Sequence, residues 1–225
     1  MPKNKHQKFA ELNIFPNVVQ PGYRFPVFDY HLKGSWGEKF FHNKNPIILE
    51  LGCGKGEYTI GLAELFPEKN FIGVDIKGNR LWTGAKLALE RAMTNVGFLR
   101  IQAEHLASFF SKDEISGIWI TFPEPQANKP KEKKRFTSER YLDIFKNFLK
   151  PDAPIYLKTD NTDFFFYTIE VIHRNNHFLK NSTTDLYNEP GLENLHAYSI
   201  QTYYEKIFLE KGEKIYYLEF SLNKD

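Results

Sequence analysis

From residue 46 onward, short apolar runs alternate with stretches of helical periodicity. The runs "PIILEL" (46–51), "NFIGVD" (70–75), "VGFLRI" (96–101), "GIWITF" (117–122) and "APIYLK" (153–158) hold few polar residues. Such runs predict strands buried on both faces, as in the parallel sheet of an α/β protein. Between them, Tyr58, Leu62, Leu65 and Phe66 share one helical stripe, and Leu81, Ala85, Ala88, Leu89 and Ala92 share another. Strand and helix in alternation predict right-handed βαβ units with helices on both faces of one mostly parallel sheet. A further helix is predicted over about 162–173, then "HFLKNSTTDL", then a final strand in "KIYYLEFSL". The turn-rich "FLEKGEK" before that strand suits a join between antiparallel neighbours, which puts an antiparallel strand near one edge. Residues 1–45 mix Pro, Gly and aromatics without a clean period. They are expected to wrap the sheet, with residues 1–12 a mobile basic arm.

Length and composition narrow the class. A chain of 225 residues has enough apolar content for one core, so a single domain over 1–225 is the expectation. No apolar run reaches the roughly 18 residues of a membrane span, and no signal-type stretch follows the N-terminal lysines, which points to a cytoplasmic protein with no membrane partner. Cys53 is the only cysteine, which excludes an internal disulfide and a cysteine-based zinc site. The seven histidines lack ligand spacing, so no metal is expected.

Charge adds a partner. Residues 1–10 carry +3 and residues 128–140 carry +4, so the other residues together hold −5 against an overall +2. Positive charge gathered into two segments of a mildly acidic body suits a polyanion. Lys3, Lys5 and Lys8 in one segment, and Lys129, Lys131, Lys133, Lys134 and Arg135 in the other, are the candidate phosphate contacts. A run of lysines is also what any solvated loop displays.

The first strand runs into "LELGCGKGEY" and then a helix. Gly52, Gly54 and Gly56 permit a tight turn and close backbone approach to a ligand at a helix N-terminus. Lys55 is followed by Gly56, so the hydroxyl that a phosphate-binding loop needs for Mg²⁺ is absent. The spacing is GxGxG and not the GxGxxG of dinucleotide folds. S-adenosylmethionine remains. It is cationic and carries a ribose, and Glu50 and Asp75 stand at the ends of two adjacent predicted strands to meet those groups. Cys53, embedded in this loop, is poorly placed to attack a pyrimidine ring, which argues against covalent pyrimidine methylation.

Ligands of open α/β sheets lie outside the carboxyl ends of the strands. The third strand leads to Gln102. The fourth leads to "TFPEPQ", where Pro123 and Pro125 restrict the backbone on either side of Glu124. The fifth leads to Lys158-Thr159-Asp160-Asn161.

These motifs in order, "LELGCGKGEY", "FIGVDIKGNR", "WITFPEPQ" with "KKRFTS", "LKTDN" and "TYYEKIFLEKG", resemble the bacterial tRNA (guanine-N7-)-methyltransferases over nearly the whole chain. The resemblance implies a Rossmann-like class I methyltransferase fold with a seven-stranded sheet, S-adenosylmethionine as cofactor, and methyl transfer to N7 of a guanine in the tRNA variable loop, at position 46. It implies that Glu50, Asp75, Gln102 and Glu124 contact the cofactor and that Glu124 is the catalytic carboxylate. It places Asn128, Lys129, Asp160, Thr202, Tyr203, Tyr204 and Glu205 at the substrate. The family usually has Asp at the position of Glu124 and Lys at that of Asn128. An RNA-binding homologue without catalysis and a methyltransferase for a small molecule also fit the residues, and so do a monomer and a homodimer.

Overall fold

The computed structural model describes residues 4–21, 28–193 and 195–223, with the side chain of Lys129 outside that set. Its strands are β1 (Val18–Val19), β2 (Ile47–Leu51), β3 (Asn70–Val74), β4 (Val96–Leu99), β5 (Ile115–Thr121), β6 (Pro154–Thr159), β7 (Phe178–Thr183) and β8 (Tyr216–Ser221). Its α-helices are α1 (Lys5–Leu12), α2 (Glu57–Leu65), α3 (Gly78–Glu90), α4 (Leu106–Phe109), α5 (Glu139–Lys146), α6 (Thr162–Arg174), α7 (His196–Ser199) and α8 (Tyr203–Glu210).

All strands join one sheet in the order β1-β4-β3-β2-β5-β6-β8-β7. Pairings from β1 to β6 are parallel, and β8 runs antiparallel to both β6 and β7. The antiparallel strand next to an edge is therefore where the sequence puts it. The sheet has eight strands where seven are expected. The extra strand is β1, two residues of the N-terminal segment laid parallel to β4.

Every residue of β2, β3 and β4 is buried, because helices cover both faces. On one face Leu49, Ile72, Ile118 and Leu157 pack with Phe109, Phe145 and Phe164 from α4, α5 and α6. On the other, Ile48, Phe71, Phe98 and Trp119 pack with Tyr58 and Leu62 of α2 and with Leu81, Ala85 and Ala88 of α3. The predicted stripes are shifted at their ends. Leu65 is exposed in the last turn of α2, and Ala92 lies beyond α3 with φ 51°. "FLEKGEK" is the end of α8 and its exit turn through Gly212 at φ 74°, so it joins a helix to β8 and not two strands.

The N-terminal segment is not a free arm in its described part. Asn4 and Gln7 cap α1 reciprocally, which satisfies orphan N–H groups at its start. Glu11 accepts from Trp82 Nε1 at 2.8 Å, Lys8 lies 4.6 Å from the Trp82 ring and Arg100 lies 4.5 Å from the Phe9 ring. The lysines of α1 thus ride on a helix docked against α3. Lys3 lies outside the described residues. No described helix is long and apolar enough to cross a membrane.

Candidate functional site

The carboxyl ends of β2, β3, β4 and β5 open into two cavities that meet at Gly52. The larger, about 280 Å³, is lined among others by Asp75, Ile76, Ile101, Gln102, Glu124 and Phe136. The smaller, about 100 Å³, is lined by Glu50, Gly54, Lys55, Thr121, Tyr203 and Tyr204 among others. Apolar walls with a few convergent polar groups are what a small-molecule site presents.

The glycine loop shapes the floor. Gly52 has φ 71° and donates its N–H to Val74 O at 2.8 Å at the end of β2, and Gly56 N–H closes the turn that follows on Cys53 O at 2.8 Å. Gly54 at φ 55° donates to Asp75 Oδ2 at 2.9 Å. The other oxygen, Asp75 Oδ1, accepts from Lys77 N–H at 2.7 Å. Each carboxylate oxygen retains acceptor capacity for a hydroxyl pair. Asp75 is thereby both a staple of the loop and an acceptor on the wall of the larger cavity.

Glu50 is 3% exposed. It accepts from Thr121 Oγ1 at 2.7 Å and from Thr59 Oγ1. Burial pushes its carboxyl up to about 7, against the opposing pull of the two hydroxyls. A buried carboxylate left so uncomfortable gains most from a nearby cation. Burial also raises the Cys53 thiol well above its ordinary value, so the thiol stays protonated and acts as a filler of the loop.

At the end of β5 the backbone bends hard. Phe122 has φ 45° and Gln126 φ 50°, and non-glycine residues in this region cost on the order of 1–3 kcal/mol each. Between these two bends stand Pro123, Glu124 and Pro125, with Glu124 exposed on the wall of the larger cavity. Phe122 N–H donates to Lys158 O at 2.8 Å, which ties the bend to β6. The prolines therefore do not simply keep the chain extended; they rigidify a loop that turns sharply at both ends.

The segment 202–205 divides. Tyr203 and Tyr204 are exposed at the smaller cavity, and Tyr203 N–H donates to Glu57 Oε2 at 3.0 Å, joining α8 to α2. Thr202 caps α8 and lines the same cavity. Glu205, expected at the substrate, is instead wholly buried. Its carboxylate meets Lys158 Nζ at 2.6 Å and accepts from Tyr187 OH at 2.6 Å and Thr202 N–H at 3.1 Å. With these partners it holds the segment from beneath. Burial pulls Lys158 down to about 8, partly offset by Glu205.

Two further candidates stand apart. Asp160, half-buried after β6, and exposed Asn128 line neither cavity; burial raises the Asp160 carboxyl. In the basic segment, residues Lys129–Lys134 form a short 3-10 helix. Lys131, Lys133 and Lys134 are exposed there, and Lys134 reaches the wall of the larger cavity. The side chain of Lys129 lies outside the described residues. Arg135, expected at phosphate, is 5% exposed and donates from Nε to Pro125 O at 2.9 Å. A guanidinium so enclosed cannot present itself to RNA.

Sequence reading misses Phe136, Tyr141 and Ile76 on the cavity wall and Thr59 and Thr121 on Glu50, and it names Lys134 for phosphate without placing it at the cavity. Phe136 and Thr121 sit inside recognisable motifs, but an aromatic and a threonine there carry no signal of their own.

Residues 44–218 match the profile of a family described as "Putative methyltransferase". A tRNA (guanine-N(7)-)-methyltransferase of Bacteroides thetaiotaomicron is 44% identical over all of this chain and 88% of its own length. One of Christiangramia forsetii is 46% identical over 98% of each chain. Among solved structures, the 16S rRNA methyltransferase KamB superposes with a TM-score of 0.63 at 15% identity, covering 92% of this chain and 99% of its own. An antibiotic-related methyltransferase gives 0.60 at 18% identity, over 87% and 96% of the two chains. At such identities the structural likeness shows the fold, a Rossmann-like α/β sheet shared with methyltransferases.

Proposed function

The chain belongs to the tRNA (guanine-N(7)-)-methyltransferase family, and from that premise we propose how its cavities carry out methyl transfer to N7 of a tRNA guanine. The observation that carries the reading is the convergence on Gly52 of two cavities, one walled by Asp75 and Glu124 and the other by Glu50.

The donor set fits S-adenosylmethionine. The buried Glu50 would hold the cationic amine, Asp75 would accept from the ribose hydroxyls, and Ile76, Ile101 and Ala103 would offer apolar walls to the adenine beside the Gln102 amide. Bound there, the cofactor supplies a methyl group on a sulfonium. Guanine N7 has a free lone pair and no proton, so no general base is needed and the protein's task is alignment. Glu124 lies at the mouth of the larger cavity and Asp160 follows the neighbouring strand β6. These two carboxylates accept from guanine N1–H and the 2-amino group or steady the positive charge that reaches the purine, Asp160 from outside the two cavities. Tyr203, Tyr204 and Thr202 wall the smaller cavity beside the nucleotide, with Asn128 and Lys129 near the backbone of the RNA. Lys131, Lys133 and Lys134 contact phosphates. The target is a guanine of the variable loop, position 46.

The test is incubation with labelled S-adenosylmethionine and unmodified tRNA, followed by chain cleavage at N7-methylguanine. Label at one variable-loop guanine is the expected result. Tight tRNA binding with no transfer would instead identify an RNA-binding homologue without catalysis.

A further inference from the structure

Arg135 ends the basic run, yet its surroundings are those of a core residue. Its guanidinium lies 4.3 Å from the ring of Tyr167 and 5.7 Å from that of Phe164, both on α6. Its Nη1 is 3.9 Å from Glu132 Oε1. Its Nε donates at 2.9 Å to the carbonyl of Pro125, the residue directly after Glu124. The chain on either side faces the other way, since Lys134 and Phe136 line the larger cavity. A Cβ on Gly52 would lie 3.3 Å from the Phe136 ring, so this stretch also closes against the glycine loop.

A planar guanidinium lies over an aromatic face and donates sideways in a fixed geometry, from a rigid fork of five N–H groups that a flexible lysine ammonium lacks. That combination matters here because the Glu124 loop has few other means of staying put. Pro123 and Pro125 have no N–H, and Phe122 and Gln126 hold conformations that persist only when their surroundings enforce them.

We propose that Arg135 is a positioning residue for methyl transfer. Stacked on α6, it holds the Pro125 carbonyl and so fixes where Glu124 stands, and it transmits the placement of the lysine turn to the reacting centre. The inference rests on the role given above to Glu124. It separates two functions within one basic run: exposed lysines meet phosphate, and the buried arginine orients the carboxylate loop.

The experiment compares Arg135→Lys and Tyr167→Leu with the parent enzyme, each checked for an intact melting transition. Expected for Arg135→Lys is a loss of turnover at saturating tRNA of up to about 100-fold, the scale of a 1 Å misplacement. The cofactor Kd and the slope of log K against log salt for tRNA binding should not change. Hydrogen exchange at the Phe122 amide, which is bonded to Lys158 O, should accelerate. Tyr167→Leu, which leaves the arginine but removes its platform, should show the same pattern more weakly, and it decides the matter if Arg135→Lys fails to fold. Unchanged exchange overturns the proposal, and so does a salt slope reduced by the equivalent of about one phosphate in a third variant, Arg135→Gln, which unlike lysine removes the charge. Faster exchange with unchanged turnover keeps the hold on the loop and removes Glu124 from the chemistry instead.

Discussion

Lys158 and Glu205 form a wholly buried ion pair, 2.6 Å between Nζ and Oε1, that ties the middle of the sheet to the segment carrying Tyr203 and Tyr204. The same ammonium donates to Ala197 O at 2.7 Å and Ile200 O at 3.0 Å. Lys158→Met should cost about 3–5 kcal/mol, because it strands a buried carboxylate and two carbonyls. Chemical denaturation measures that loss. If Tyr203 and Tyr204 hold the nucleotide, the variant's KM for tRNA should rise more than its cofactor Kd.

If Glu50 holds the cofactor's cationic amine, cofactor binding should depend on pH. Its carboxyl sits at about 7 in the folded chain against an ordinary 4.5. A raised value means the folded protein holds the proton more tightly than the unfolded one, so this group's stabilisation is full below 4.5 and fades as pH rises through about 7. A cation in the smaller cavity prefers the ionised form. Cofactor affinity should therefore tighten from pH 5.5 to about 7, by up to about tenfold per unit, then level off. Calorimetric titration should show proton release below pH 7, and Glu50→Gln should abolish both effects.

Glu124→Gln keeps size and hydrogen-bonding reach but removes the charge. If the carboxylate steadies the cationic purine, turnover should fall by on the order of 100-fold or more, while cofactor Kd changes little. Single-turnover kinetics with saturating tRNA measure this directly. Unchanged turnover would take Glu124 out of the mechanism.

The parts of the chain legible in sequence share one property: the signal is local. Strands β2 to β6 read as apolar runs because both of their faces are buried, and Glu50, Gly52, Gly54 and Asp75 read as a site because each lies at or just after the end of a strand. β1 leaves no pattern because two residues are too few. β7 leaves none because it is an edge strand with Phe178 and Leu179 exposed. Arg135 and Glu205 escape sequence reading for a different reason. Charge within a polar motif looks the same whether solvated or buried, and only the fold brings Pro125, Tyr167, Lys158 and Tyr187 around them.

Lys131, Lys133 and Lys134 are the exposed described cations of the 3-10 turn. Neutralising all three should weaken tRNA binding and flatten the salt dependence by about 0.7–0.9 for each phosphate that these lysines neutralise. Turnover at saturating tRNA should change far less when only Lys131 and Lys133 are neutralised, since these two line neither cavity and Lys134 lines the larger. Filter binding across a salt series is the measurement. An unaltered slope would assign the phosphates to another surface.

The packing of α3 against the glycine loop offers a last test, because it converts a close approach into cofactor affinity. A Cβ at Gly84 would stand 2.6 Å from the Lys55 carbonyl oxygen and 2.8 Å from Phe98 Cζ. Alanine there is favoured by helix propensity by about 1 kcal/mol, so any net destabilisation comes from the clash, which at such sites costs about 1–3 kcal/mol. The Lys55 carbonyl cannot retreat independently. It lies between Gly54, held by Asp75, and Gly56, whose own Cβ would meet Phe98 at 2.7 Å. Gly84→Ala should therefore push the loop into the cofactor cavity and weaken cofactor binding about tenfold or more. Gly212→Ala is the control. Its φ of 74° makes alanine strained, yet no neighbour lies within 4 Å, so it should lower stability by a similar amount and leave cofactor affinity unchanged. Equal affinities in both variants would show that the close approach of α3 serves stability alone.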